Sequence, residues 1–227
     1  MCRLETIASG SSGNSYLLTA NNETLVLDCG SHFMDTKKTL NFNIRGIVGA
    51  IVTHAHGDHS KFAHEYEAAG IPVWKPYEAE VLGQYKQLGG FMVHSFELVH
   101  DVPCVGYLIN HPDVGKLLYA TDTEYIRYRF KKLNTILIEM NHSDEYIDRN
   151  AVKFAHTKKG HMEKQTTLDF IKANMNEGLN HVILCHLSAD GADPIEFKEA
   201  TKEIVNLWTT VDVAVPGLTV NLSETPF

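Results

Sequence analysis

Four side chains able to bind a metal ion fall within six residues of the segment Thr53-His54-Ala55-His56-Gly57-Asp58-His59. Imidazole and carboxylate donors at this density suit a divalent cation. In an extended segment, residues two apart point the same way, so His54 and His56 can grip one ion together. Asp58 and His59 then face a neighbouring ion from the start of a helix. Two ions need more donors than this run supplies. The chain offers His100 after Leu98-Val99, Asp122 after Leu117-Leu118-Tyr119-Ala120-Thr121, and His186 after Val182-Ile183-Leu184-Cys185. Each emerges from an apolar strand, where active-site loops begin. Two dications about 3.5–4 Å apart activate water near neutral pH and polarise a phosphoryl oxygen, which is hydrolytic chemistry. A polar loop that merely contains histidines is the plain alternative, and the density of donors argues against it.

The elements that must position these residues are legible from periodicity and turn chemistry. Ile47 to Thr53 reads as an apolar strand buried on both faces, feeding the histidine run directly. Asp58 to Ala69 has helical character and ends at Gly70, a suitable C-cap. Ahead of them, Leu4 to Ile7, Ser15 to Thr19 and Thr24 to Asp28 read as short strands separated by Gly/Ser/Asn turns. Downstream, Pro72 to Trp74 reads as a strand, and Tyr77 to Leu88 as a helix closed by Gly89-Gly90. Phe91 to Val99, Val105 to Asn110, Lys116 to Ala120, Asn134 to Met140 and His181 to Cys185 complete the predicted strands. Helices are expected at Asp144 to His156, Glu163 to Asn174 and Pro194 to Leu207, the last with proline in its first turn. Strands interleaved with helices predict a layered α/β fold, with sheets inside and helices outside. The absence of repeats, linkers or low-complexity stretches predicts one domain over residues 1–227.

Composition narrows the partners. The chain has 227 residues, 44% hydrophobic and 21% charged, which is ordinary for a globular protein. Its apolar runs fall short of the roughly 20 residues needed to span a bilayer, and the N-terminus lacks a signal-peptide pattern. A cytoplasmic protein without membrane contact is the expectation. A formal net charge of −8, with basic clusters only at Arg127 to Lys132 and Lys158-Lys159, weighs against a long polyanionic substrate. Cys2, Cys29, Cys104 and Cys185 form no Cys-x-x-Cys pair and read as buried reduced thiols. His32, His64, His94, His111, His156 and His181 sit on expected helices, turns or strand interiors without partners at ligand spacing, and are read as ordinary histidines.

The motifs resemble the metallo-β-lactamase superfamily, most closely its phosphodiesterase branch, which includes ribonuclease Z and the YycJ-like exonucleases. The resemblance runs in order through Ala8-Ser9-Gly10-Ser11-Ser12-Gly13-Asn14-Ser15, Asp28, the His54 run, His100-Asp101, Thr121-Asp122-Thr123, Glu139-Met140-Asn141-His142 and His186-Leu187-Ser188. It covers about residues 4 to 200 and implies a four-layer αββα sandwich with metals at one edge between the sheets. By that resemblance, His54, His56 and His100 bind one ion, Asp58, His59 and His186 bind a second, and Asp122 bridges them. Asp28 orients the histidine loop from behind. Zn²⁺ and Mn²⁺ both suit such a site. Gly160-His161-Met162 aligns with a segment whose histidine contacts the scissile phosphate, so His161 joins Asp58 as a catalytic candidate. Here the pattern departs from the family, because Glu163 and Lys164 replace small polar residues. His142 matches a supporting position behind the ligands.

The resemblance implies phosphodiester hydrolysis without a covalent intermediate. Two substrates fit: a 3′,5′-cyclic mononucleotide, as for the phage anti-Pycsar enzymes that share this fold, or DNA, as for a YycJ-like 5′-exonuclease. The acidic balance and short chain favour the cyclic nucleotide, and the phage enzymes imply a homodimer. A catalytically idle metal-binding module is the reading from another class. The full complement of donors weighs against it.

Overall fold

The computed structural model describes residues 2–80, 83–146 and 160–222. Among the described residues, thirteen strands form two sheets. The first contains β1 (Cys2–Ala8), β2 (Ser15–Ala20), β3 (Glu23–Leu27), β4 (Ile47–Ile51) and β5 (Val73–Trp74) in that order. The last strand of the chain, β13 (Thr219–Asn221), returns to pair antiparallel with β1. The second sheet runs in reverse chain order, β12 (Thr210–Val213), β11 (His181–Cys185), β10 (Thr135–Glu139), β9 (Gly115–Ala120), β8 (Val105–His111), β7 (Phe91–Glu97) and β6 (Tyr85–Leu88). Helices α1 (Phe33–Thr39), α2 (Gly57–Ser60), α3 (Ala63–Ala68), α4 (Lys164–Ala173) and α5 (Pro194–Lys202) follow or join these strands.

Strand periodicity sorts the side chains into three apolar layers. Tyr16, Leu18 and Leu27 of the first sheet meet Tyr107, Leu117, Tyr119, Leu137 and Ile183 of the second, forming the core between sheets. The alternate residues Leu17, Val26, Ala50 and Val52 face outward onto Phe33, Ala63 and Tyr66. On the far side, Leu118, Ala120, Ile136, Ile138 and Leu184 face Leu168, Ile171 and Phe197 of α4 and α5. Both sheets are therefore covered on both faces, which gives the αββα sandwich and explains why the central strands read as unbroken apolar runs. Among the described residues, no helix is long and apolar enough to cross a membrane.

One predicted helix is overturned. Among the described residues of Tyr77 to Leu88, a 3-10 turn over Pro76–Glu78 opens the segment and strand β6, paired antiparallel with β7, ends it. Leu88 pairs with Phe91, so Gly89-Gly90 is a two-residue hairpin loop rather than a helix cap. Gly89 at φ 55 supplies the left-handed backbone that such a loop requires. The helix expected from Asp58 to Ala69 is split into α2 and α3, and Gly70 at φ 77 terminates it as expected. The helix expected from Asp144 to His156 lies almost wholly outside the described residues, as does His156 itself.

Topology sets up the site. β3, β4 and β5 are mutually parallel, as are β9 to β12, and β7 runs with β9 because both are antiparallel to β8. The carboxyl ends of β3, β4, β7, β9, β10 and β11 thus reach one edge of the sandwich. The residues following them are Asp28, Val52 to His54, Leu98 to His100, Thr121-Asp122, Met140 to His142 and His186.

Candidate metal centre

Three groups of donors gather at this edge, each with its ligand atoms within 4.8 Å of one another: His54, His56, His100 and Asp122; Asp58, His59, Asp122 and His186; and Asp122, Glu139, His161 and His186. Asp122 divides its two oxygens between the first two groups. Its Oδ2 lies 3.7 Å from His54 Nε2 and 4.0 Å from His100 Nε2, while its Oδ1 lies 3.3 Å from His59 Nε2 and 3.5 Å from His186 Nε2. Asp58 Oδ2 is 3.3 Å from both His59 Nε2 and His186 Nε2. Donors bound at about 2.0–2.2 Å in a tetrahedral shell stand about 3.3–3.6 Å apart, so the second group already has ligand spacing.

The hydrogen bonds behind these rings fix which nitrogen faces inward. Asp28 Oδ2 accepts from His59 Nδ1 at 2.7 Å, and its Oδ1 accepts from the Thr53 amide at 2.8 Å. The Thr53 hydroxyl donates to Asp28 and accepts from His54 Nδ1, each at 3.1 Å. His100 Nδ1 must donate to the Gly160 carbonyl at 2.8 Å, since a carbonyl only accepts. Glu139 Oε1 accepts from His186 Nδ1 at 3.2 Å. The Nε2 lone pairs of His54, His59 and His186 therefore face the carboxylates of Asp58 and Asp122, while His100 Nε2 lies 3.1 Å from Asp101 Oδ1, 3.2 Å from His56 Nδ1 and 4.0 Å from Asp122 Oδ2. His54 Nε2 is buried without any hydrogen-bond partner.

Lone pairs facing carboxylates call for a positive charge between them. Without a metal, protons fill part of that need. Burial opposes the charged form of His186, but Asp122, Asp58 and Glu139 outweigh it and push its pKa up to about 10. His59 is raised in the same way by Asp122 and Asp28. His54 goes the other way: burial, then the neighbouring His59 charge, drop its pKa to about 2, leaving a neutral donor. Burial works against ionised Asp58, yet hydrogen bonds from His186 and His59 hold its pKa well below the usual range. The donor set, its spacing and the orphaned His54 nitrogen all fit a pair of divalent cations.

Three of the turning points are non-glycine residues in the left-handed region: Asp28 at φ 59, Asp122 at φ 52 and His186 at φ 51. Such backbone costs free energy and persists where surroundings over-determine it. Gly160 at φ 97 lets its carbonyl cap His100, and a Cβ there would lie 2.5 Å from His100 Nδ1.

His161, a member of the third group, stands beside the first two, stacked on His186 at 5.3 Å between ring centroids and 5.7 Å from His100. Its Nδ1 bonds Glu139 Oε1 at 2.7 Å, and the Glu139 charge outweighs burial to raise its pKa. His142, expected as a supporting residue, is buried, and its ring lies 3.4 Å from Asn141 Oδ1; it belongs to none of the donor groups among the described residues and instead walls a cleft beside His161. Two supporting residues were not singled out from sequence. Glu139, fully buried, also accepts from the amides of Thr123 and Met162, each at 3.1 Å. Asn14 Nδ2 reaches His59 Nε2 at 3.0 Å and its Oδ1 accepts from the Gly10 amide, tying the first turn to the centre. Among the histidines read as ordinary, His32, His64 and His181 bond Glu65, the Lys61 carbonyl and Thr210 away from the centre. His94 stacks on Tyr85, and His111 pairs with Asp113. All four cysteines are buried, and none is in a disulfide.

A family model described as the metallo-beta-lactamase superfamily matches residues 8–125. The curated protein "Exodeoxyribonuclease YycJ" of Bacillus anthracis is 26% identical over 215 residues, covering 81% of each chain. Among solved structures, the metallo-beta-lactamase fold protein YhfI from Bacillus subtilis matches with a TM-score of 0.73 at 16% identity, over 97% of this chain and 100% of its own. Unliganded yeast PDE1 matches with a TM-score of 0.72 at 12% identity, over 97% and 99%.

Proposed function

We propose that this chain, which belongs to the metallo-β-lactamase superfamily, hydrolyses nucleotide phosphodiesters with two divalent ions, Zn²⁺ or Mn²⁺. His54, His56, His100 and Asp122 would hold one ion, and Asp58, His59, His186 and Asp122 the other. The observation that carries this reading is the Asp122 carboxylate, with one oxygen toward each group of imidazoles. Bound there, the ions would supply a water nucleophile effective near neutral pH and an electrophile for the phosphoryl oxygen.

The residues themselves do the rest. Asp28 holds His59 directly and His54 through the Thr53 hydroxyl, so both rings keep their inward lone pairs. Asp58 stays ionised and orients the attacking water. Glu139 fixes Nδ1 of His161, which leaves His161 Nε2 to bond a phosphate oxygen or to protonate the leaving oxygen. The substrate we favour is a 3′,5′-cyclic mononucleotide. Asp101, Glu124 and Glu163 around the centre would repel a long polyanion, while the cleft beside His161, about 390 Å³, suits one nucleotide. A second reading, a 5′-exonuclease, draws on the exodeoxyribonuclease relative and on the exposed basic run from Arg127 to Lys132. A homodimer is part of the cyclic-nucleotide reading, and light scattering on the eluted protein tests it.

The deciding assay sets 3′,5′-cyclic mononucleotides beside 5′-phosphorylated single- and double-stranded DNA, with added Zn²⁺ or Mn²⁺. Conversion of cyclic nucleotides to linear monophosphates with DNA intact supports the first substrate. Degraded DNA with cyclic nucleotides spared establishes the second. Failure to cleave either, or the base-free ester bis(p-nitrophenyl) phosphate, would sink the phosphodiesterase reading and favour an idle metal module.

A further inference from the structure

The cleft beside His161 has a lining that the hydrolytic chemistry does not use. It is formed by Glu124, Tyr125, Asp144, Glu163 and Thr166 together with His142 and His161. His161 is the wall shared with the metal centre, so a nucleotide with its phosphate there would extend its ribose and base into this space. The volume, about 390 Å³, falls within the range of small-ligand pockets. Tyr125 is 46% exposed, so its ring face is available for stacking. Its backbone is pinned: the Thr123 hydroxyl donates to the Tyr125 carbonyl at 2.9 Å, and the Glu124 amide to the Val99 carbonyl at 2.9 Å. The backbone that carries the platform and the neighbouring carboxylate is thus fixed before a ligand arrives.

Apart from the hydroxyls of Tyr125 and Thr166 and the two imidazoles, the polar chemistry of the lining is one-sided. Ionised carboxylates only accept hydrogen bonds, and the cleft contains three of them with no lysine, arginine, asparagine or glutamine among its described walls. Glu163 uses Oε2 to cap α4 through the Gln165 amide at 2.6 Å, which leaves Oε1 for another donor. Adenine, cytosine and guanine offer an exocyclic amino group to such acceptors. Uracil and thymine offer a single ring N–H flanked by two carbonyl oxygens, which face the carboxylates unfavourably.

We propose that this cleft is a nucleobase subsite, in which Tyr125 stacks on the base and Glu124 and Glu163 select bases carrying an exocyclic amino group over uracil and thymine. The proposal rests on the phosphodiesterase reading for the placement of the phosphate and adds the part of the substrate that decides specificity. Calorimetric binding of 5′-CMP and 5′-UMP to the metal-supplemented protein tests it, since the two differ only on the base edge. The expected result is about tenfold or greater preference for CMP, as for a charge-assisted hydrogen bond against an unpaired acceptor. The double variant Glu124→Gln, Glu163→Gln should bring the two within about threefold, because an amide both donates and accepts. Tyr125→Ala should weaken both by about tenfold through lost stacking. Equal or tighter binding of UMP by the unaltered protein overturns the proposal, as does full discrimination in the double variant. Bis(p-nitrophenyl) phosphate, which has no base, keeps the two failures apart: its survival sinks the hydrolytic reading while the binding ratio still judges the subsite.

Discussion

Asp28→Asn isolates what a single carboxylate does for the metal centre. Asp28 is fully buried at φ 59 and accepts from the Thr53 amide, the Thr53 hydroxyl, His59 Nδ1 and the Tyr119 hydroxyl. Asparagine has nearly the same shape and tolerates left-handed backbone, so the local fold should persist. Its amide can keep Oδ1 toward Thr53 only by turning Nδ2 toward His59 Nδ1. Two donors then face each other at the 2.7 Å contact. The relief is a change of tautomer, with His59 Nδ1 accepting and Nε2 carrying the proton. That proton points at Asp58 and Asp122, where the lone pair should bind an ion. Loss of such an orienting partner typically weakens metal binding about 10–100-fold, equivalent to about 1.4–2.7 kcal/mol. The group containing His54, His56 and His100 should suffer less, since only His54 depends on Asp28, through Thr53. Zn²⁺ titration against a competing chelator would read this as one weakened and one nearly normal site, with circular dichroism confirming the fold. Two sites of unaltered affinity would refute the reasoning about the His59 tautomer.

Other perturbations report on different parts of the same construction. Asp122→Ala removes the carboxylate common to both donor groups, and turnover of bis(p-nitrophenyl) phosphate should fall by about a thousandfold or more, with near-normal turnover sinking the assignment. Gly160→Ala places a Cβ 2.5 Å from His100 Nδ1 at a φ of 97, so the affinity of the His54, His56, His100 group should drop about tenfold or more while the other group is spared. In metal-stripped protein, the His186 pKa near 10 lies above its ordinary 6.5, so its stabilisation is fully present below about 6.5 and lost as pH rises through about 10. Urea midpoints from about pH 6 to about pH 11 should decline, and a flat profile would contradict the charge balance described. For the same reason, ion binding at this group should release protons and tighten with rising pH across the neutral range, as chelator competition at two pH values would reveal.

The donors were legible where chemistry and spacing coincide along the chain. His54, His56, Asp58 and His59 declare themselves within one short run. His100, Asp122 and His186 stand out because a polar residue follows an apolar strand, and the sandwich collects those strand ends at one edge. Glu139 gave no comparable signal. It ends its strand like any terminal polar residue, and its partners His161 and His186 lie 22 and 47 positions away. Asn14 reads as an ordinary turn residue until the fold brings His59, 45 positions on, to its amide. The hairpin at Gly89-Gly90 was misread because two glycines end a helix as readily as they join two strands, and only Leu88 of β6 is buried to mark its inward face. Helix α1 escaped notice because only Phe33 and Thr36 of its seven residues are buried, too few for an amphipathic stripe.

Each of the first two donor groups draws from both halves of the sandwich. His54, His56, Asp58 and His59 hang from the first sheet, whereas His100, Asp122 and His186 hang from the second. No disulfide staples the layers together. Ions seated at this edge would act as the missing fasteners, joining Asp58 to His186 across 128 positions of chain. Stripped of them, the sandwich should part like a book opened at its fore-edge, with the opposite ends of the strands staying shut. Amide exchange would then quicken at the carboxyl ends of β4, β9 and β11 while the far margins keep their protection, making metal loss a mechanical event as well as a chemical one.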